Sequence, residues 1–280
     1  MVKAIDMRKS AVILLVLPLL FGCKSGMTWE KVAMDGHRTG VTAPTAENVA
    51  EAIGVVDTLT GVYTAPNGTV FTEGSTPEVA ALLIGAQPVM AEVKEVIAFS
   101  TREMSAHSPE SDLSNFVVDF LRAETAKLVK RPVDVGITNF GGIRVDMPEG
   151  DVTLDDIRSM FPFNNKLCYV EIKGEDLLEL ANQMARRKVQ CLSGVKMVVN
   201  DHRLESFEVG GKPVDPKKYY GVATVDFLLD GGDSLYIARN ARKLIQTDEI
   251  IGPAIEAYIR SLTADGKAIE YSTDGRVVVK

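Results

Sequence analysis

The sequence predicts a mixed-sheet α/β (α+β) domain preceded by a small accessory segment, and three observations predict it. Some segments repeat apolar residues at helical spacing while others alternate with period two. Helices and strands interleave irregularly, and several strands follow one another in the second half of the chain. A doubly wound parallel fold would need a regular strand–helix alternation that is missing here.

The N-terminus carries Lys3, Arg8 and Lys9, then an apolar run from Ala11 to Phe21, then Gly22-Cys23. A basic region, a short apolar core and a small residue make a secretory signal over residues 1–22, and the run is too short to span a bilayer comfortably. Leu20-Phe21-Gly22-Cys23 also resembles a bacterial lipobox, so Cys23 is expected to bear lipid as the first mature residue. The protein is then an exported bacterial lipoprotein, held at the membrane and facing the periplasm or cell surface. An ordinary signal peptide with an incidental cysteine is the alternative.

Residues 23–74 form the accessory segment, rich in Gly, Thr, Ala and Pro. Within it Thr45 to Ile53 reads as a short helix, and Gly61 to Phe71 as two strands around an Asn67-Gly68 turn. The main domain is expected over residues 75–280. Thr76-Pro77 opens a helix through Val79, Leu82 and Leu83 that continues past a kink at Pro88 to Val93 and Val96. Ser108-Pro109 caps the clearest amphipathic helix, with Leu113, Phe116, Val117, Phe120, Leu121 and Leu128 on one face.

Val133 to Thr138 reads as a buried strand leading into the loop Asn139 to Arg144, and Thr153 to Met160 as a short helix presenting Phe161 to Asn165 at its end. Leu167 to Ile172 alternates as a strand, and Glu175 to Arg187 is a helix with Leu177, Leu180, Ala181 and Met184 inward. Val195 to Val199, Leu204 to Val209 and Tyr219 to Thr224 follow as strands, the last running into Asp226 to Asp233. A terminal helix starts at Ile250 with Pro253 near its beginning.

Removing residues 1–22 takes away Lys3, Arg8, Lys9 and Asp6, so the formal charge moves from −7 to −9. An acidic chain lacks the basic stripe that phosphate neutralisation along a nucleic acid needs, so no nucleic-acid partner is expected. Cys168 and Cys191 each lie in or near an expected strand, where they either pair or serve as small apolar residues.

Three motifs carry the chemistry: Asn139-Phe140-Gly141-Gly142-Ile143-Arg144, Phe161-Pro162-Phe163-Asn164-Asn165, and Asp226-Phe227-Leu228-Leu229-Asp230-Gly231-Gly232-Asp233. They supply aromatic faces at Phe163 and Phe227, amides at Asn139 and Asn165, a carboxylate at Asp233 and a guanidinium at Arg144. A nucleotide needs that set: rings for a base, an acceptor for ribose hydroxyls, and a planar cation for phosphate. Taken singly, each has a plainer reading. The phenylalanines are equally core residues, Asp233 a solvated loop residue, and Arg144 a surface ion pair with Asp146 or Asp151.

The order, wording and spacing of the motifs resemble the C-terminal, substrate-binding domain of the 5'-nucleotidase family of bacterial periplasmic and animal cell-surface enzymes, across roughly residues 75–280. The resemblance implies that Phe163 and Phe227 sandwich the base and that Asp233 accepts the ribose hydroxyls. It likewise implies that Arg144 meets the substrate anion and that Asn139 makes a polar contact. Phe140, Asn164 and Ser234 stand where the family usually has glycine, and the first two are expected to narrow the pocket or alter base preference. Arg102 lies near a further family arginine without aligning to it residue by residue.

Full-length members hydrolyse the ester with two metal ions held by Asp, Asn and several His in an N-terminal metallophosphatase domain. This chain has His37, His107 and His202, with one Asp35-Gly36-His37 triplet and no Gly-Asn-His or Gly-His-x-His. No catalytic or metal-binding residue and no cofactor is therefore assigned to it. The expected role is the nucleotide- or nucleoside-recognition half of a split 5'-nucleotidase in nucleotide catabolism. Divalent metals and ester hydrolysis would be supplied by a separately encoded metallophosphatase. A stand-alone nucleoside- or nucleotide-scavenging lipoprotein, and a structural surface lipoprotein with a non-functional pocket, are the alternatives.

Overall fold

A computed structural model describes residues 39–45 and 48–280 of the protein. The expected signal segment over residues 1–22, Cys23 and Asp35-Gly36-His37 lie outside the described residues. Contacts divide the chain into two compact units, Met1–Ala86 and Gln87–Lys280.

In the first unit α1 (Val49–Ile53) precedes three short antiparallel strands, β1 (Val55–Val56), β2 (Tyr63–Thr64) and β3 (Val70–Phe71). The expected hairpin is present: Tyr63 pairs with Phe71 and Thr64 with Val70, and Tyr63 and Phe71 stack at 5.7 Å. Asn67 Oδ1 accepts from the Thr69 amide across the turn at 3.0 Å. The long helix α2 (Ser75–Met90) holds Pro88 inside its last turn. It stops at Met90 instead of running on to Val96, because a single 3-10 turn (Glu92–Lys94) intervenes and Val96 opens a strand.

The second unit begins with β4 (Val96–Ser100) and α3 (Asp112–Val129). Ser111, not Ser108, caps α3: its side chain accepts from the Ser114 amide while the Ser114 hydroxyl accepts from the Ser111 amide, a reciprocal capping box. Leu113, Phe116, Val117, Phe120 and Leu121 are buried as their spacing requires, whereas Leu128 is exposed in the last turn. Then come β5 (Val135–Thr138), β6 (Gly150–Thr153), α4 (Leu154–Met160), β7 (Lys166–Lys173), α5 (Gly174–Arg186), β8 (Cys191–Ser193), β9 (Val195–Asn200), β10 (Arg203–Val209), β11 (Lys212–Pro213), β12 (Tyr219–Val225), β13 (Lys243–Ile250), α6 (Ile251–Ala264) and β14 (Val277–Val279).

The central sheet has five strands in the order β13-β7-β12-β5-β8, with β12 and β5 parallel and the other pairs antiparallel. A four-stranded sheet, β11-β10-β9-β14, joins β14 parallel to β9, and β4 pairs with β6. Both larger sheets are thus mixed, as the irregular element order predicts. Helix α3 packs on β5, β8 and β12, and α5 packs on β7, β10 and β12, so one apolar core runs through both sheets. Pro253 fits in the first turn of α6, where its missing amide hydrogen would have had no partner.

Cys168 and Cys191 are free and buried. They sit on β7 and β8, separated by β12 and β5, or about 14 Å at the usual strand spacing, which is twice the reach of a disulfide. Burial pushes the Cys168 thiol up to about 12, so it stays protonated at neutral pH.

The C-terminal residues fasten the first part of this unit. Arg276 is bidentate on Asp119 at 2.8 and 2.9 Å and also meets Asp274 at 2.8 Å. Asp119 further accepts from Ser193 and Tyr271. Glu110 accepts the amides of Asp274, Gly275 and Val277, and Arg260 pairs with Glu95 at 2.8 Å. Tyr258 of α6 packs against Phe116 and Phe120 of α3.

Candidate functional site

Strand direction brings the three motifs together. Strands β5 and β12 run parallel and β7 runs antiparallel to β12, so the ends of β5 and β12 and the beginning of β7 lie at one edge of the central sheet. Asn139 follows β5, Phe227 lies two residues past β12, and Asn165 directly precedes β7. Segments as far apart as 139 and 233 in sequence therefore meet in space.

They enclose a cavity of about 270 Å³ lined by Asn139, Gly141, Gly142, Arg144, Phe163, Asn165, Phe227 and Asp233. All six residues singled out from the sequence are among these eight. Phe163 is 46% exposed and Phe227 48%, whereas Phe161 of the same motif is buried in the core. Among the described residues neither exposed ring stacks on another aromatic side chain, which leaves both available to a planar ligand.

Two glycines are required by close approach. A Cβ on Gly142 would lie 2.9 Å from Asn139 Oδ1, so glycine lets the asparagine amide tuck beneath its own loop. A Cβ on Gly232 would lie 2.1 Å from the Phe227 carbonyl oxygen and 2.8 Å from its ring, so only glycine allows the ring its place. Asn139 is 5% exposed, and its Oδ1 has no hydrogen-bond partner among the described residues. A buried, unsatisfied acceptor beside a cavity is suited to a ligand donor.

Arg144 forms no ion pair among the described residues, including with Asp146 or Asp151; its Nη1 donates to the Gly141 carbonyl at 3.4 Å. The guanidinium is exposed and free to take a bidentate anion. Asp233 and Ser234 have φ of 48° and 63°, in the left-handed region. Ser234 therefore occupies a conformation that glycine adopts more readily, which accounts for glycine being usual there. Its carbonyl is held by the Gln183 side-chain amide from α5.

Phe140 does not narrow the cavity. Its ring is buried, with Lys188 Nζ at 5.7 Å, and its amide donates to Gln190 Oε1 at 3.1 Å. Asn164 is exposed and does not line the cavity either. Arg102 is engaged elsewhere, with Asp112 at 3.0 Å and the Tyr271 carbonyl. The glutamines that anchor two of the loops, Gln183 and Gln190, belong to no motif, and a single sequence gives no signal for them.

Among the described residues no three His, Cys, Asp or Glu side chains converge as a metal site; His107 precedes α3 and His202 lies in the turn between β9 and β10. These residues do not fit a dinuclear centre. A larger cleft, about 910 Å³, opens at the other end of β5 and β12. Five cations (Arg122, Lys196, Lys212, Lys218, Arg276) and five carboxylates line it, so it offers no net charge to a phosphate.

The model of the 5'-nucleotidase C-terminal domain matches residues 89–239, a span that contains all six of these cavity residues. UshA of Yersinia enterocolitica is 27% identical over 160 residues, covering 55% of this chain and 29% of that protein. The cell wall protein Lmo0130 of Listeria monocytogenes is 30% identical over 206 residues, covering 67% of this chain and 26% of that protein. The chain thus spans less than a third of the length of these two relatives. The solved 5'-nucleotidase precursor of Thermus thermophilus shares the fold, with a TM-score of 0.63 at 24% identity over 78% of this chain and 48% of that one. With more than half of its length matched by the family model, motifs and fold included, the chain belongs to the 5'-nucleotidase C-terminal domain family.

Proposed function

We propose that the cavity binds a nucleoside or nucleotide and that this chain is the recognition half of a split 5'-nucleotidase. The base lies between Phe163 and Phe227, the ribose hydroxyls donate to Asp233, and the phosphate meets Arg144. Asn139 and Asn165 supply amide contacts. The observation that carries this reading is the meeting, in one small cavity, of two half-exposed unstacked phenylalanines with one carboxylate and one unpaired guanidinium.

A bound nucleotide held at base, ribose and phosphate has one orientation, and positioning is what a recognition half contributes to catalysis. Ester hydrolysis would come from a separate metallophosphatase, with its own divalent metals. The lipobox-like Leu20 to Cys23 supports export and membrane attachment through lipid on Cys23, and resemblance to a relative named as a cell wall protein agrees with export.

Titration calorimetry of the purified mature chain with nucleosides and mononucleotides tests this directly, alone and with a candidate metallophosphatase. The expected result is binding without metal-dependent hydrolysis by the chain alone, and hydrolysis that depends on Arg144, Phe163 and Phe227 once the phosphatase is added. Turnover by this chain alone that His37→Ala abolishes would overturn the split-enzyme reading. Absence of binding to any member of the panel would favour a structural lipoprotein.

A further inference from the structure

The two aromatic arms of the cavity share one fastening. Strands β7 and β12 pair in register from Lys173↔Tyr219 to Leu167↔Val225, which puts Lys166 opposite Asp226 at the next position. The backbone ladder stops there, and the Asp226 side chain continues it. Its Oδ1 accepts the Lys166 amide at 3.1 Å and the Phe227 amide at 2.9 Å. Its Oδ2 faces the Gln246 amide group of β13 at 3.5 Å. Lys166 is three residues past Phe163, so one carboxylate holds the backbone at the root of both arms.

The Asp226 side chain is absent from the cavity lining and acts only through what it holds. An ionised carboxylate makes short, strong bonds to backbone amides and can accept two on one oxygen, which a neutral group does less well. Losing it would free the Phe163 loop from the Phe227 turn while leaving Arg144 and Asp233 attached through their own contacts: the Arg144 amide donates to the Met160 carbonyl at 3.0 Å, and Gln183 holds the turn at Ser234. The geometry points to Asp226 as the positioning residue that fixes the gap between Phe163 and Phe227, and so sets recognition of the base but not of the sugar phosphate. This inference rests on the base lying between those two rings.

The test is calorimetric binding of adenosine and of ribose 5-phosphate, a base-free probe, to wild type, Asp226→Ala, Asp226→Asn and Phe227→Ala. Amide hydrogen exchange at Lys166 and Phe227 is measured in parallel. Asp226→Ala is expected to weaken adenosine about tenfold, to leave ribose 5-phosphate unchanged, and to speed exchange at those two amides. Asp226→Asn keeps an acceptor oxygen and should bind adenosine within about threefold of wild type. Adenosine affinity that falls in Phe227→Ala but not in Asp226→Ala would overturn the positioning role alone, as would equal losses of both probes in Asp226→Ala. Wild-type protein that binds ribose 5-phosphate but not adenosine would overturn the base-clamp reading and this inference with it.

Discussion

Replacing Phe163 or Phe227 by alanine removes one wall of the proposed base slot, and the exposed area of each ring sets the size of the expected loss. A phenylalanine offers roughly 200 Å² of surface, and each ring is nearly half exposed, so on the order of 90 Å² is available for a base to cover. At about 25 cal/mol per Å² that is close to 2 kcal/mol, inside the range of about 1–3 kcal/mol for stacking a base on an aromatic side chain. Each single variant should therefore raise the nucleoside Kd by about 30-fold, and the double variant should lose roughly twice the free energy. Isothermal titration with a nucleoside reads the change, and thermal unfolding checks that the exposed rings were not supporting the core. Wild-type affinity in both single variants, in a chain that binds, would refute the reasoning.

Asp233→Asn should cost ribonucleosides more affinity than analogues lacking both ribose hydroxyls, and equal losses would make Asp233 structural. Arg276→Leu would leave Asp119 without its cation and with only the Ser193 and Tyr271 hydroxyls, and with Asp119 partly exposed the cost should be about 3 kcal/mol, lowering Tm by about 6 to 12 °C in a calorimetric scan. Burial alone would raise the Asp119 pKa, but hydrogen bonds from Arg276, Ser193 and Tyr271 outweigh it and hold the carboxyl below its ordinary range. That stability should be complete above about pH 4 and fall away as pH drops through the lowered value, a dependence that Arg276→Leu should weaken in acid-unfolding curves. Cys23→Ser should move the protein from the detergent-soluble membrane fraction to a soluble or unprocessed form, and unchanged fractionation would argue against lipid anchoring.

The candidate site was legible because its residues are grouped. Asn139 and Arg144 flank two glycines, Phe163 and Asn165 stand in one pentapeptide, and Phe227 and Asp233 bracket a glycine turn, so the grouping marks loops of interest, and the resemblance of the three motifs to the family domain supplies the expected roles. The residues that hold those loops are scattered. Asp226, Gln183 and Gln190 act through single hydrogen bonds to backbone that is distant in sequence, and no local pattern announces such a bond. Strands β4, β6 and β13 were also hidden. In β13 the run Lys243-Leu244-Ile245-Gln246-Thr247-Asp248-Glu249 has no clean apolar alternation: exposure alternates along the strand, but Leu244 falls on the exposed side while Lys243, Thr247 and Glu249 fall on the less exposed one. The helix expected to reach Val96 illustrates the converse: apolar residues at 93 and 96 suit a helical face, yet tertiary pairing of Val96 with Thr153 prevails.

The tie between Arg276 and Asp119 bears on where this molecule can be cut. A fragment ending at residue 239, the limit of the family match, would keep all six of the cavity residues taken from the sequence, with Gln183, Gln190 and Asp226 that hold their loops, and lose the C-terminal elements that support the sheet and α3 behind them. Without β13, strand β7 becomes a bare sheet edge; without α6, Phe116 and Phe120 lose the ring of Tyr258; without residues 271 and 276, the half-buried Asp119 carboxylate of α3 loses its cation and keeps only the Ser193 hydroxyl. The stretch that lines the cavity and the stretch whose contacts support it have different ends. A minimal module carrying the cavity has to include a C-terminal stretch that contributes no residue to the cavity lining.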